Sequence, residues 1–159
     1  MVGKRIMKLG VIADTHLRSF AEMPQALLKA LSKVDLIIHA GDIVTLDIIR
    51  GLETLAPVKA VRGNMDLPEV WTTLPEKDLI VIEGKKLGIV HGSGSGWMAE
   101  ERILPLFPGV DAIIFGHTHE SMNKVMHGVL LFNPGKASDS YGVIEIGEDI
   151  KGRIKRNYF

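Results

Sequence analysis

Apolar positions along this chain fall into two rhythms. Unbroken runs at Lys8–Ala13 (KLGVIA), Leu36–Ala40 (LIIHA) and Val58–Arg62 have the length and β-branched content of strands buried on both faces. Between them the spacing becomes helical. Pro24 suits the first turn of a helix through Lys33, with Leu27, Leu28 and Leu31 on one face. Thr45 suits the N-cap of a second helix carrying Leu46, Ile49 and Leu52. A strand–helix–strand–helix–strand order predicts parallel strands joined by right-handed crossovers.

The second half is richer in strands. Asp78–Glu83 and Lys86–His91 read as a hairpin around Gly84. A short helix over Met98–Phe107, closed by Pro108-Gly109, leads into a buried strand at Ala112–Phe115. Three β-like runs follow, Asn123–Met126, Val129–Phe132 and Tyr141–Ile146. A last strand, Ile150–Tyr158, returns through a Gly147-Glu148-Asp149 turn. With no internal repeat, low-complexity tract or linker, the pattern predicts an α/β fold in one domain, residues 1–159. Two packed mixed β-sheets, a β-sandwich, would be flanked by α-helices.

Composition narrows the partners. Of 159 residues, 46% are hydrophobic, enough to build a sizeable core. Nineteen basic residues balance nineteen acidic ones, so charge makes no case for nucleic acid as a partner. Lys151, Arg153, Lys155 and Arg156 do cluster, but Gly152 and Ile154 alternate with them, which is the pattern of a solvated strand face. No run approaches the ~18 apolar residues of a membrane helix, and the N-terminus lacks a signal-peptide pattern. A cytoplasmic location is therefore expected, with a homo-oligomer compatible with everything so far. One Gln and four Asn hint at a thermophilic source. With no cysteine, disulfides, thiolate sites and Cys nucleophiles are excluded, and any transition-metal site must use His, carboxylate or amide ligands.

Such residues stand where the apolar runs stop. VIA is followed by Asp14-Thr15-His16, IIHA by Gly41-Asp42, AVR by Gly63-Asn64-Met65-Asp66, GIV by His91-Gly92 and AIIF by Gly116-His117-Thr118-His119. Taken singly, the first three are ordinary turns and His91 an ordinary histidine. The paired imidazoles of His117 and His119 seldom serve packing. Together the five endings matter, because ligands in α/β sheets bind outside the carboxyl ends of strands. Four of the six histidines stand there.

The ordered set D-x-H, G-D, G-N-x-D, H-G and G-H-T-H, running from Leu9 to about Gly135, resembles the calcineurin-like metallophosphoesterase superfamily. Within it the chain looks like the small archaeal and bacterial phosphodiesterases related to the retromer vacuolar-sorting subunit. The resemblance implies a phosphodiesterase or phosphatase acting on a small phosphate ester. By it, Asp14, His16 and His119 bind one divalent ion, Asp42 bridges two, and Asn64, His91 and His117 bind the second. Mn²⁺ heads the candidates, with Ni²⁺, Fe²⁺ and Zn²⁺ behind it. The implied mechanism is in-line attack on phosphorus by a hydroxide generated between paired ions. Two divalent ions, two carboxylates and that hydroxide sum to one positive charge, which suits a phosphate ester.

One position departs from the family. A histidine commonly follows the Gly-Asn pair as proton donor, and Met65 stands here instead. Asp66 is the remaining candidate acid, although a carboxylate that orients a neighbouring ligand is the better reading. Lys136, in Asn133-Pro134-Gly135-Lys136, reads as a solvated turn lysine, and Trp71 and Trp97 as core or interface packing. Gly92-Ser93-Gly94-Ser95-Gly96 fits no nucleotide-loop pattern and suits a flexible lip near His91. His39, inside a strand, and His127, beside a turn, have no motif partner. The competing function is a protein-binding scaffold of the same fold, as in the retromer subunit, but all seven ligand positions hold competent residues.

Overall fold

The computed structural model describes residues 5–92 and 99–156. Two five-stranded sheets face each other. The first has the order β10-β9-β1-β2-β3, with β1 Met7–Ile12, β2 Leu36–His39, β3 Val58–Ala60, β9 Ser140–Ile146 and β10 Ile150–Arg156. The second has the order β4-β5-β6-β8-β7, with β4 Lys77–Ile82, β5 Lys85–Val90, β6 Ala112–Ile114, β7 Met122–Met126 and β8 Val129–Asn133. The expected parallel set β1-β2-β3 is present, with Leu9 beside Leu36 and Ile37 beside Val58. A second parallel set, β5-β6-β8, forms in the other sheet, where β4–β5 and β7–β8 are antiparallel hairpins.

Alternation along the strands explains the layering. In β1, Leu9 and Val11, with Ala13 after them, point between the sheets and pack on Leu87, Ile89, Ile114 and Phe132. Ile12 points the other way, into a second layer with Leu27 and Leu31 of α1 (Gln25–Leu31) and Ile48 and Leu52 of α2 (Leu46–Leu52). On the far face of the second sheet, Ile113 and Phe115 meet Ile103 of α4 (Ala99–Ile103) and Phe107. A strand covered on both faces must be apolar at successive positions, which is why these runs are unbroken.

Helix ends differ in detail from expectation. Pro24 is the N-cap of α1 rather than a first-turn residue, and the helix stops at Leu31. Thr45 is at the N-cap of α2, but its hydroxyl donates to the Arg18 carbonyl, and Glu69 accepts the Leu46 amide instead. The sequence reading missed a helix, α3 (Pro68–Thr73), too short to show apolar periodicity, although Pro68 opens its first turn. It also missed the 3₁₀ turn Phe20–Glu22, which carries a Ser19–Glu22 capping box. The helix expected over Met98–Phe107 is α4 followed by a 3₁₀ turn, Leu104–Leu106, where Pro105 removes an amide. Its Met98, the Ser93–Gly96 lip, Trp97 and the strand end Asn157–Tyr158 lie outside the described residues.

Peripheral predictions find their places. His127 shares the β7–β8 turn with Gly128, both at positive φ, as a tight hairpin requires. Lys151, Arg153 and Lys155 occupy the exposed face of β10, where Arg153 pairs with Glu145. No helix among the described residues is long and apolar enough to cross a membrane.

Candidate metal centre

The carboxyl ends of β1, β2 and β3 in one sheet and of β5 and β6 in the other open onto a common rim. Asp14 and His16 follow β1, Asp42 follows β2, Asn64 follows β3, His91 follows β5, and His117 and His119 follow β6. All seven side chains gather there. Ligand atoms of Asp14, His16, Asp42 and His119 lie within 4.8 Å of one another. On the other side of Asp42, His91 Nε2 is 3.2 Å from Asp42 Oδ2 and 3.1 Å from Asn64 Oδ1. The rings of His91 and His117 are 5.4 Å apart, and those of His16 and His119 5.3 Å.

Backbone conformation marks the same residues. Asp14, His16, Asp42, His117 and His119 all have φ between 51° and 72°, the left-handed region. Asp and His tolerate that region better than most residues, yet each such residue costs on the order of 1–3 kcal/mol. Five of the seven candidate ligands share this strain, and such concentration is characteristic of functional sites. Val44, at φ 80°, extends it into the loop after Asp42.

Close packing of the loops depends on glycine at two points. A Cβ on Gly41 would sit 2.6 Å from His91 Nδ1, and one on Gly63 would collide with Asp42 Oδ1. Hydrogen bonds then set individual atoms. His91 Nδ1–H donates to the Ala40 carbonyl at 2.7 Å, which turns Nε2 toward the carboxylates. Met65 N–H donates to Asp42 Oδ1 at 2.8 Å. Asp42 Oδ2 lies between the two groups of side chains, 3.7 Å from His16 Nε2 and 3.2 Å from His91 Nε2.

Asp66 is placed differently from a catalytic acid. Its Oδ1 accepts the Val44 amide at 2.5 Å and its Oδ2 the Gly63 amide at 2.7 Å. With both oxygens committed to backbone N–H groups, it clamps the loops carrying Asp42 and Asn64 rather than orienting an imidazole.

Two residues outside the predicted set support it. His39, fully buried in β2, accepts the Gly41 amide at Nδ1, so its Nε2–H donates to Thr15 Oγ1 at 3.1 Å. Burial pushes its pKa down to about 3 and keeps it neutral. It ties the Asp14 loop to the Asp42 loop. Asn133, at the end of β8, donates from Nδ2 to the Gly116 carbonyl and Thr118 Oγ1, and its Oδ1 accepts the Gly135 amide. It holds the loop of His117 and His119. The available signal for Asn133 was a sixth apolar run ending in a polar residue. Lys136 is half-buried and near enough for its charge to act on Asp14 and His119.

The electrostatics call for a cation. Asp14 is fully buried, and neither of its oxygens has a hydrogen-bond partner of good geometry among the described residues. His16 Nε2 is likewise unpartnered. Burial raises the Asp14 pKa to about 7, against the His91 charge and with help from Asp42. Burial works against an imidazolium at His91, but the hydrogen bond and charge of Asp42 outweigh it and raise the pKa. Burial likewise works against the Asp42 carboxylate, yet the His91 bond and charge hold its pKa below the usual carboxylate range. At His119, burial and the neighbouring His16 lower it. Converging lone pairs of N and O, desolvated and unpaired, suit a divalent ion and are costly without one.

A two-sheet sandwich with carboxylate and imidazole side chains gathered at the shared strand ends, four of them close enough to hold one metal ion, is a candidate metal-binding domain. The sequence matches the calcineurin-like phosphoesterase superfamily domain over residues 7–146, and the chain belongs to that family. It is 42% identical over 132 residues to a probable metallophosphoesterase of Methanothermobacter thermautotrophicus, covering 81% of this chain and 76% of the relative. A structure described as a novel archaeal phosphodiesterase is 26% identical, with a TM-score of 0.74, covering 95% of this chain and 100% of its own. The Entamoeba histolytica Vps29, solved with Zn²⁺, is 25% identical with a TM-score of 0.69, covering 94% and 99%.

Proposed function

We propose that the chain is a metal-dependent phosphodiesterase working through two divalent ions, Mn²⁺ foremost. The carrying observation is the gathering of seven side chains at one rim around Asp42, whose Oδ2 lies 3.7 Å from His16 Nε2 and 3.2 Å from His91 Nε2, beside a buried Asp14 whose oxygens have no hydrogen-bond partner of good geometry among the described residues. Asp14, His16 and His119 would hold one ion, Asn64, His91 and His117 the other, with Asp42 shared. Such ions supply a water of lowered pKa as nucleophile and neutralise charge on the phosphoryl oxygens.

The chain's own residues set the rest. His91 is oriented by Ala40, and the three loops of the first sheet are held by His39 and Asp66. With Asn64 Oδ1 turned toward His91, its NH₂ end is left to donate to a phosphoryl oxygen. Lys136 adds a positive field near Asp14 and His119 that draws an anionic substrate. The two residues that follow Asn64 offer no proton, since Met65 cannot act and both Asp66 oxygens are engaged. The enzyme then favours esters whose leaving oxygen is a weak base.

Hydrolysis of bis-p-nitrophenyl phosphate and p-nitrophenyl phosphate with Mn²⁺ tests this. Asp42→Ala and His117→Ala should each lower the rate by more than about 100-fold, beyond the usual effect of losing an outer-shell partner. Metal analysis should find two ions per chain. Rates unmoved by either substitution would sink the proposal and favour a scaffold of the Vps29 kind.

A further inference from the structure

A groove of about 380 Å³ opens beside Asn64 and His91 and reaches Trp71 and Leu106. Its volume lies near the lower end of pockets that hold small ligands, roughly 300–1,000 Å³. Trp71 of α3 and Leu106 line it, and they remain 49% and 42% exposed although large and apolar. Val90 and Ile103, both buried, give it further apolar surface. Val90 lines the groove together with Asn64 and His91, so its apolar surface adjoins the candidate metal centre.

Trp71 is pinned. The Arg62 guanidinium carbon is 4.5 Å from the centroid of its ring. Arg62 is itself fixed, its Nη1 donating to the Leu74 carbonyl at 3.0 Å and its amide to the Pro75 carbonyl at 2.9 Å. A half-exposed indole braced by an anchored cation has little rotamer freedom to lose when a ring stacks on it. Charge agrees with an anionic ester, because Arg62 and Arg102 outnumber Glu76 among the lining residues.

We infer that this groove seats a planar aromatic substituent of the phosphate ester whose phosphorus lies at the metal centre. The inference rests on the phosphoesterase reading and names its substrate class. The ring can be an aryl group next to phosphorus or a nucleobase across a sugar, and both would use the same surface.

Calorimetry on the Mn²⁺-loaded protein separates them with two probe pairs, phenylphosphonate against methylphosphonate and adenosine 5′-monophosphate against ribose 5-phosphate. In at least one pair the ring-bearing probe should bind roughly fivefold tighter or more, the lower end of what base–aromatic stacking supplies. Trp71→Ala should abolish that ratio while leaving the ringless probe within about twofold, and Trp71→Phe should retain most of it. If Trp71→Ala does not fold, Leu106→Ala must lower the ratio. Ratios near one in the wild type, ratios surviving these substitutions, or no binding of ring-bearing probes overturn the inference. A Trp71-dependent ratio without hydrolysis of bis-p-nitrophenyl phosphate would remove the enzyme and keep the groove. Hydrolysis with ratios of one would do the reverse.

Discussion

On one side of Asp42, the Asp14 carboxylate and His16 Nε2 are buried without a hydrogen bond of good geometry among the described residues; on the other, His91 and Asn64 already bond to each other and His91 to Asp42. The first group is shaped by what is missing, the second by bonds that an ion would replace. Both lie on strand ends of the same sandwich, and both rely on loops clamped from outside the ligand set. A metal centre can thus store part of its affinity as unsatisfied desolvation on one side while keeping the other geometrically ordered.

The largest effect should come from the unsatisfied side. Asp14→Asn, which tolerates the positive φ, should lower Mn²⁺-dependent turnover by about 100-fold or more, beyond an outer-partner loss. Yet it should stabilise the metal-free protein at alkaline pH. The Asp14 pKa is raised from 3.8 to about 7, so the metal-free fold retains a proton that the unfolded chain has lost. Its contribution is intact below about 4 and is lost as pH climbs to about 7. At about 1.4 kcal/mol per unit, the wild type then gives up a few kcal/mol that the variant keeps. Urea denaturation with chelator should show the variant ahead at pH 8 and level at pH 4, and saturating Mn²⁺ should restore the wild type's lead. Asn64→Ala should bring no such gain. Equal stabilities at pH 8 would dissolve the contrast between the two sides.

A smaller effect is expected from the clamp beneath both sides. His39→Leu leaves the Gly41 amide without its acceptor and removes the donor to the Thr15 hydroxyl, a loss of about 1–3 kcal/mol. It should also weaken Mn²⁺ binding by about 10–100-fold. Since burial lowers the His39 pKa from 6.5 to about 3, its contribution is present above 6.5 and lost as pH falls toward 3. The variant should lack that acid-side loss. Unfolding curves at pH 7 and pH 4, with metal titrations, decide it.

The smallest effect should come from Asp66→Asn, which keeps one acceptor and presents an NH₂ to the other amide. Mn²⁺ affinity should fall about tenfold with substantial turnover remaining at saturating metal. A loss of all turnover at saturating metal would instead make Asp66 a proton donor.

Much of this was readable before any coordinates. Strand ends at Ala13, Ala40, Val90 and Phe115 were legible because doubly covered strands are apolar without interruption, so the first polar residue marks the rim. The short α3 was not, having no periodic face. Nor was His39, since a lone histidine in an apolar strand has no neighbour in sequence to explain it. Trp71 read as packing, yet it stands half-exposed on the groove, because Arg62 covers one part of it and nothing local predicts that.

Residue order thus specifies which chemistry stands at each strand end, since ligand type and apolar periodicity are written along the chain. It does not specify which lone pairs stay empty. His91 finds its carbonyl at Ala40, 51 positions away, and His39 finds Thr15 across 24. Such partners exist only once two sheets have packed and brought distant loops within hydrogen-bond reach. Hydrogen bonds act over about 3 Å, a scale that sheet packing sets and local sequence does not.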